Sequence, residues 1–221
     1  MLKELFGVFK EGDLYSQAVE DCQEMLGITR EMFRESVKSL RNRGTAEVDL
    51  DVYATDQVIN SFERDVRRKV MTHLAISGKA ELTSGLVLVS IVIDIERIGD
   101  YAKNIYDLAV HHPARLQAGS FEEQVSEIED AVDEMLDQAI ESFKESDPEL
   151  ARKLMTDYKK QISKRCDELT FQMVQGKGGD LNASDQVTVA LYLRFLKRIA
   201  AHSRNMATSV VNPFDRIGYP E

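Results

Sequence analysis

Residues that interrupt helices are scarce in this chain. Its 221 residues include only 4 prolines and 12 glycines, and tryptophan is absent. So few breakers over this length favour long helices. The hydrophobic fraction of 43% is ordinary for a globular protein, and it suffices for a sizeable core in one domain or in two small ones.

Positive charge and long apolar runs are also lacking. The formal net charge of −10 leaves no basic surface for DNA or RNA and makes an anionic membrane surface a poor partner. No run of 18 apolar residues occurs, so no membrane-spanning helix is predicted. The segment MLKELFGVFKEGD lacks a signal-peptide core. Cys22 and Cys166, far apart, are typical of buried thiols in a reducing compartment, and we expect a cytoplasmic protein.

Signatures of catalysis are missing from the sequence as well. None of the four histidines forms a His-x-x-x-His pair or follows a glutamate by three residues, which disfavours a ferritin-like oxidase. The glycines at 176–179 lack the Gly-Lys-Ser/Thr of a phosphate loop, and no nucleophile motif is present. We therefore predict no enzymatic activity, and we expect His111 and His112 to contact helix-end carbonyl groups.

The most informative stretch is LVLVSIVIDIERIGDYAKNIYDLA, residues 86–109. Its apolar residues recur at spacings of 4, 3, 4, 3 and 4, which is the period of a helix: Ile91, Ile95, Ile98, Ala102, Ile105 and Ala109. The first half is apolar all round and should be buried on both sides. The acidic residues follow where this burial ends.

The same period predicts six helices in two units. Helices A1, B1 and C1 are expected at 12–43, 46–76 and 80–111, and helices A2, B2 and C2 at 121–145, 148–175 and 185–211. Asp13 and Asp147 are predicted N-caps, and Val58 and Ile59 are among the predicted buried residues of B1. The units span 12–113 and 120–211, and we expect a lead (1–11) and a tail (212–221) to pack on the bundles.

The two units are an internal repeat. The segment from Glu96 to Ile105 aligns with Lys197 to Met206 at an offset of 101, and Thr55-Asp56 aligns with Thr156-Asp157 at the same offset. Helix B then slips by about two residues, because Ile59 matches Ile162 better. Short links and no strand pattern predict an all-α protein of two tandem three-helix bundles, like spectrin repeats.

Helix C1 carries a pair of carboxylates. Glu96 and Asp100 are four residues apart, so their oxygens are neighbours on one helix face. Such a pair is either a solvated acidic edge flanked by Arg97 and Lys103, or two oxygen ligands for a hard cation. Asp94 and Asp107 are predicted to be solvated.

The residues of helix C1 also resemble a known family. Glu96-Arg97-Ile98-Gly99-Asp100, followed by Ala102 and Asn104-Ile105, is similar to the signature of the PhoU family. The resemblance covers about residues 15–211 and implies two three-helix bundles. It also implies an acidic motif in each bundle that holds iron, zinc or other metal ions, and a role in regulating phosphate uptake.

The implied metal motif is carried over to the first unit alone. Its ligands would be Glu96, Asp100 and Asn104 of C1, with Asp56, Asn60 and Glu63 of B1. In the second unit Glu96 is replaced by Lys197 and Asp100 by Ala201, and a charged lysine cannot bind a cation. Lys197 is expected to supply the positive charge itself. Oxygen ligands suit Fe, Mn or Mg, and Zn also accepts carboxylates.

Three functions remain open at this point. The resemblance implies an adaptor that contacts a membrane phosphate transporter, of the ABC type or a Na/phosphate symporter, or a sensor histidine kinase, and that is peripheral to the membrane only through its partner. The alternatives are a metal-dependent enzyme on a helical bundle and a purely structural interaction module. The oligomeric state is undetermined, a homodimer included.

Overall fold

The computed structural model describes residues 13–43, 49–77 and 81–220, and over these residues it contains helices and no strand. The α-helices are α1 Leu14–Lys38, α2 Val52–Ser77, α3 Leu82–His111, α4 Glu122–Glu145, α5 Pro148–Asp157, α6 Lys164–Val174 and α7 Ala183–Val211. A π-helical turn, Tyr158–Ser163, connects α5 to α6, so that the three segments form one continuous helix. The predicted all-α architecture with two repeats is thereby confirmed.

Short polar residues start three of the helices. Asp13 accepts a hydrogen bond from the backbone of Ser16 at 2.8 Å, and Asp147 accepts from Glu149 at 2.9 Å with Pro148 in the first turn. These are the predicted N-caps, and each satisfies a backbone N–H that has no partner within its helix. Asn182 does the same for α7, which therefore begins at Ala183, two residues before the predicted start.

Helix α3 lies at the centre of the molecule. It packs against α1 and α2 in the first bundle and against α7 of the second bundle, while α7 packs against α4, α5 and α6. The predicted stripe from Ile91 to Ile105 is fully buried, and Val92, about 100° around the helix from Ile91, is buried as well. Each side chain of this size contributes about 1.5–3 kcal/mol when it leaves water, so this helix joins both bundles in one core. None of the described helices is both long and apolar enough to cross a bilayer.

Helices α3 and α7 run antiparallel. The partners of α3 residues on α7 fall earlier in the sequence as α3 advances: Asp94 meets His202 at 2.7 Å, Tyr101 meets Arg198 at 3.2 Å and His112 meets Asp185 at 2.9 Å. The two α-helical tips, where α2 turns into α3 and where α6 turns into α7, therefore lie at opposite ends of the molecule.

The π-helical turn accounts for one residue of the two-residue slip in the repeat. A π-helical turn accommodates an extra residue within a helix, and Tyr158–Ser163 lies where the best alignment departs from the offset of 101. The turn keeps Ile162 in the core, as Ile59 is in the first bundle. The position of Val58 was predicted wrongly, since its side chain is exposed. It lies one residue, about 100°, from the buried Ile59 on the helix.

The C-terminal tail folds back on α7. The Asn212 side chain donates to the carbonyls of Arg216 and Tyr219 at 3.0 and 2.8 Å, and the Gly218 amide donates to Thr208 Oγ1 at 2.7 Å. Ile217 packs against the core. The predicted lead at 1–11 lies outside the described residues.

Candidate functional site

Lys103 lies between the acidic residues of the first bundle. Its Nζ is 2.7 Å from Oδ1 of Asp56 on α2 and 3.3 Å from Oδ1 of Asp100 on α3. Burial disfavours its charge, but the hydrogen bonds and negative charges of these two carboxylates outweigh burial and raise the pKa of Lys103. A cation therefore already links α2 to α3 at the predicted metal position.

Glu96 is perturbed by burial and by the nearby negative charge of Asp100. Burial and the nearby Asp100, with a smaller contribution from Glu63, raise the pKa of Glu96 from 4.5 to about 7, while Arg97 opposes the shift. Its Oε2 lies 3.4 Å from the guanidinium of Arg97, which also contacts Asp100 at 2.9 Å. These acids are therefore close enough to repel one another, as the predicted site requires.

The remaining predicted ligands lie around this group. Asn60 donates to Oδ2 of Asp56 at 3.3 Å, Glu63 pairs with Arg67 at 2.8 Å, and Asn104 is half-buried one turn after Asp100. Among the described residues, no three His, Cys, Asp or Glu side chains are grouped so that they could hold a metal ion. The structure thus brings Asp56, Asn60 and Asp100 to one place, with a lysine among them.

The second bundle carries a simpler version of this site. Lys197, which replaces Glu96, places Nζ at 2.6 and 2.7 Å from the two carboxylate oxygens of Asp167 on α6. This is the positive charge that the sequence predicts for the second unit. This ion pair connects α6 to α7, just as the ion pair between Lys103 and Asp56 connects α3 to α2.

A buried polar network at the α3–α7 interface is not found by sequence reasoning. The prediction that Asp94 is solvated is wrong, because Asp94 is buried and its Oδ1 accepts hydrogen bonds from Asn205 at 3.0 Å and contacts His202 Nδ1 at 2.7 Å. Tyr101 stacks on His202. The sequence contains one signal for this burial, since Asp94 lies within the apolar stretch of the helix and before the acidic residues that follow it. Asp107 by contrast is half-buried and accepts from Tyr53 at 2.7 Å.

Of the two histidines at the end of α3, His111 contacts a helix carbonyl as predicted. Its Nδ1 lies 2.8 Å from the carbonyl of Asp107. His112 instead contacts the carbonyl of Ala114, beyond the helix, and Asp185 of α7. It therefore contributes to the contact between the bundles.

Comparison with known proteins gives consistent matches over both bundles. The sequence model described as "PhoU domain" matches residues 22–109 and 125–210. A Pseudomonas aeruginosa protein, "Phosphate-specific transport system accessory protein PhoU homolog", is 27% identical over 207 residues, which is 89% of this chain and 84% of that protein. The Pseudomonas putida protein of the same description is 28% identical over 184 residues, 79% of this chain and 71% of that protein.

Two solved structures share the fold. PhoU from Pseudomonas aeruginosa superposes with a TM-score of 0.81 at 24% identity, covering 90% of this chain and 95% of that one. The phosphate transport system regulatory protein PhoU from Streptococcus pneumoniae gives a TM-score of 0.71 at 17% identity, with the same coverages of 90% and 95%. At these identities the structures support the architecture.

Proposed function

Since the chain belongs to the PhoU family, with one PhoU domain in each bundle, we propose that it is an accessory protein of a phosphate transport system and regulates phosphate uptake. The main support for this proposal is that both bundles match the family. In addition, the chain covers most of the length of relatives that are described as accessory proteins of phosphate-specific transport. It acts by contact with other proteins and not as an enzyme.

The surfaces proposed for this contact are the two helical tips. Each tip exposes large apolar side chains: Met71, Ile76, Leu82 and Leu86 at the α2–α3 tip, and Phe171, Val174, Val187 and Leu191 at the α6–α7 tip. Leu86 and Val187 are equivalent in the repeat. Clustered apolar groups on a surface mark interaction sites. The proposed partner is the cytoplasmic side of a membrane phosphate transporter, with a sensor histidine kinase as the second candidate.

The contact is tested with purified components. The chain is mixed with the phosphate transporter of its own organism in detergent or nanodiscs, and complex formation is measured by size-exclusion chromatography and interferometry. We expect the double variant Phe171→Glu/Val174→Glu to weaken binding by at least about tenfold, because a charge replaces an apolar contact. Val58→Glu, on an exposed position in the middle of α2, is the matched control. Equal binding by both variants would place the contact elsewhere.

We further propose that the acidic group of the first bundle binds a metal ion. What supports it is the oxygen-rich set of Asp56, Asn60, Glu96 and Asp100, and the raised pKa of Glu96, which burial causes first and the negative charge of Asp100 second. Such donors would hold Mn²⁺, Mg²⁺, Fe or Zn²⁺. Because Lys103 contacts Asp56 and Asp100, the ion would bind as the ammonium group moves away, and it would then fix α2 against α3.

Elemental analysis tests the metal proposal. Protein purified without a histidine tag or chelator is analysed by mass spectrometry, beside the variant Glu96→Ala/Asp100→Ala. Stoichiometric metal in the first sample and trace amounts in the second are expected. Trace amounts in both samples, also after reconstitution with each ion, would show that Lys103 is the cation of this site.

A further inference from the structure

A basic pocket lies in the second bundle, beside the C-terminal tail. It encloses about 600 Å³ between α5, the π-helical turn, α7 and the tail. Its charged lining consists of Arg152, Lys159 and Arg204, and no acidic side chain of the described residues lines it. In a chain with a net charge of −10, such a concentration of positive charge marks a place where an anion would be favoured.

Arg204 is held at the wall of this pocket with unused hydrogen-bonding capacity. Its guanidinium carbon lies 4.9 Å from the ring centre of Tyr158, and Nη2 donates to the carbonyl of Gly218 at 2.5 Å. Its Nε is buried and has no hydrogen-bond partner among the described residues. Since Nε is closed off from solvent, a ligand in the pocket would meet the part of the Arg204 guanidinium that lines the cavity.

The internal repeat shows why this arginine lacks a carboxylate. Arg204 is the counterpart of Lys103 at the offset of 101, and Lys103 is neutralised by Asp56 and Asp100. The counterpart of Asp100 is Ala201. The counterpart of Asp56 is Asp157, which lines a different cavity, on the side of α4. Both carboxylates that compensate the lysine in the first bundle are therefore missing around the arginine in the second.

Apart from Thr156, the rest of the lining is aromatic and apolar. Tyr158, Tyr219, Met155 and Pro220 surround the three basic side chains. Flat aromatic side chains stack on planar rings, and guanidinium and ammonium groups bind phosphate oxygens. A volume of about 600 Å³ is in the range of pockets that hold small molecules. Arg152 also pairs with Glu149 at 2.9 Å, which leaves Lys159 and Arg204 as the main anion contacts.

We propose that this pocket binds a phosphorylated small molecule that carries a planar ring, a nucleotide being the ligand class. The phosphates meet Lys159 and Arg204, and the ring lies against Tyr158 and Tyr219. The site is separate from the acidic group of the first bundle. It goes beyond the proposed role in phosphate transport, and either can fail without the other.

The ligand class is tested by isothermal titration calorimetry of the full chain with ATP, pyrophosphate and adenosine, all in EDTA so that metal ions do not contribute. ATP is expected to bind at least about tenfold more tightly than pyrophosphate, which lacks the ring, and than adenosine, which lacks the phosphates. Equal affinity for ATP and pyrophosphate would overturn the role of the ring. No heat with ATP at millimolar concentration would overturn the site.

The position of the site is tested with a matched pair of charge reversals. Lys159→Glu changes an exposed residue of the pocket, and Lys160→Glu changes the exposed residue next to it, outside the pocket lining. We expect the first to weaken ATP binding by about tenfold or more and the second by less than about threefold. Tyr219→Ala changes an exposed residue of the tail. It should weaken the binding of ATP and leave the binding of pyrophosphate unchanged. Equal effects of the two lysine variants would place binding elsewhere.

Discussion

Lys103 of α3 donates to Asp56 of α2 across 2.7 Å, at the position where the sequence predicts a metal ion between carboxylates. The pair is largely shielded from solvent, since the two side chains are 25% and 14% exposed. This lysine supplies the charge that allows Asp56 and Asp100 to lie together. Lys103 is therefore the cation that a metal ion would have to replace at this position.

Removing this cation should destabilise the first bundle. We expect Lys103→Met to lower the free energy of unfolding by about 1 kcal/mol, the size of a partly exposed ion pair, and by more at low salt because the remaining carboxylates repel. Lys69→Met is the control, since Lys69 forms one ion pair of similar exposure with Asp21 at 2.6 Å. Urea denaturation measures both. A smaller loss for Lys103→Met than for Lys69→Met would contradict this role.

The same variant should bind divalent cations more strongly. Without the ammonium group, the oxygens of Asp56 and Asp100 are free to bind Mn²⁺, and we expect the affinity to rise by about tenfold or more over the unchanged protein. Titration followed by electron paramagnetic resonance measures free Mn²⁺. Adding Asp100→Ala to the variant should remove the gain, and an unchanged affinity in Lys103→Met would argue against a metal site here.

Stability should depend on pH through Glu96. Its pKa is raised from 4.5 to about 7 in the folded protein by burial, Asp100 and Glu63, against Arg97. The folded state therefore holds this proton more tightly than the unfolded chain, so the contribution of Glu96 to stability is greatest below pH 4.5, falls between 4.5 and about 7, and is constant above.

The difference between the unchanged protein and Glu96→Gln isolates this group. Denaturation in chelator from about pH 4 to 8 should show the unchanged protein losing stability relative to the variant as the pH rises. Glu123→Gln, on an exposed position of α4, serves as the control and should give a flat difference. Parallel curves for Glu96→Gln would mean that its carboxyl group is not protonated near neutral pH.

Asp94 and Asp107, which look alike in sequence, should differ in their effect on stability. Asp94→Ala leaves His202 and Asn205 without their acceptor at the buried α3–α7 interface, at a cost of about 2 kcal/mol. Asp107→Ala removes a bond to the exposed Tyr53 and should cost less than about 1 kcal/mol. Thermal unfolding compares them, and similar melting temperatures would show that the network does not hold the bundles together.

The sequence predicts the helices and their grouping because both depend on local signals. The spacing of Ile91, Ile95 and Ile98 defines a helix face, Asp13 and Asp147 start helices through their own short side chains, and the repeat supplies the two-bundle arrangement. These features need no knowledge of what lies opposite each helix.

The polar contacts between helices could not be predicted in the same way. Asp94 is buried because α7 runs antiparallel to α3 and brings His202 against it, which the periodicity of one helix does not contain. The sequence shows Lys103 only as a neighbour of Glu96 and Asp100 on the same helix, because its partner Asp56 is on another helix. The repeat alignment offered one further signal, the exchange of Lys103 for Arg204 and of Asp100 for Ala201.

Phosphate uptake by living cells is the most direct test of the proposed regulatory role. Uptake of radiolabelled phosphate is measured in a strain of the chain's own organism that lacks this protein, after return of the chain, of Phe171→Glu/Val174→Glu, or of the empty vector. We expect that the unchanged chain restores the parental uptake and that the tip variant does not, at equal protein levels. Uptake that stays at the empty-vector level with folded, unchanged chain present would contradict a role in phosphate transport.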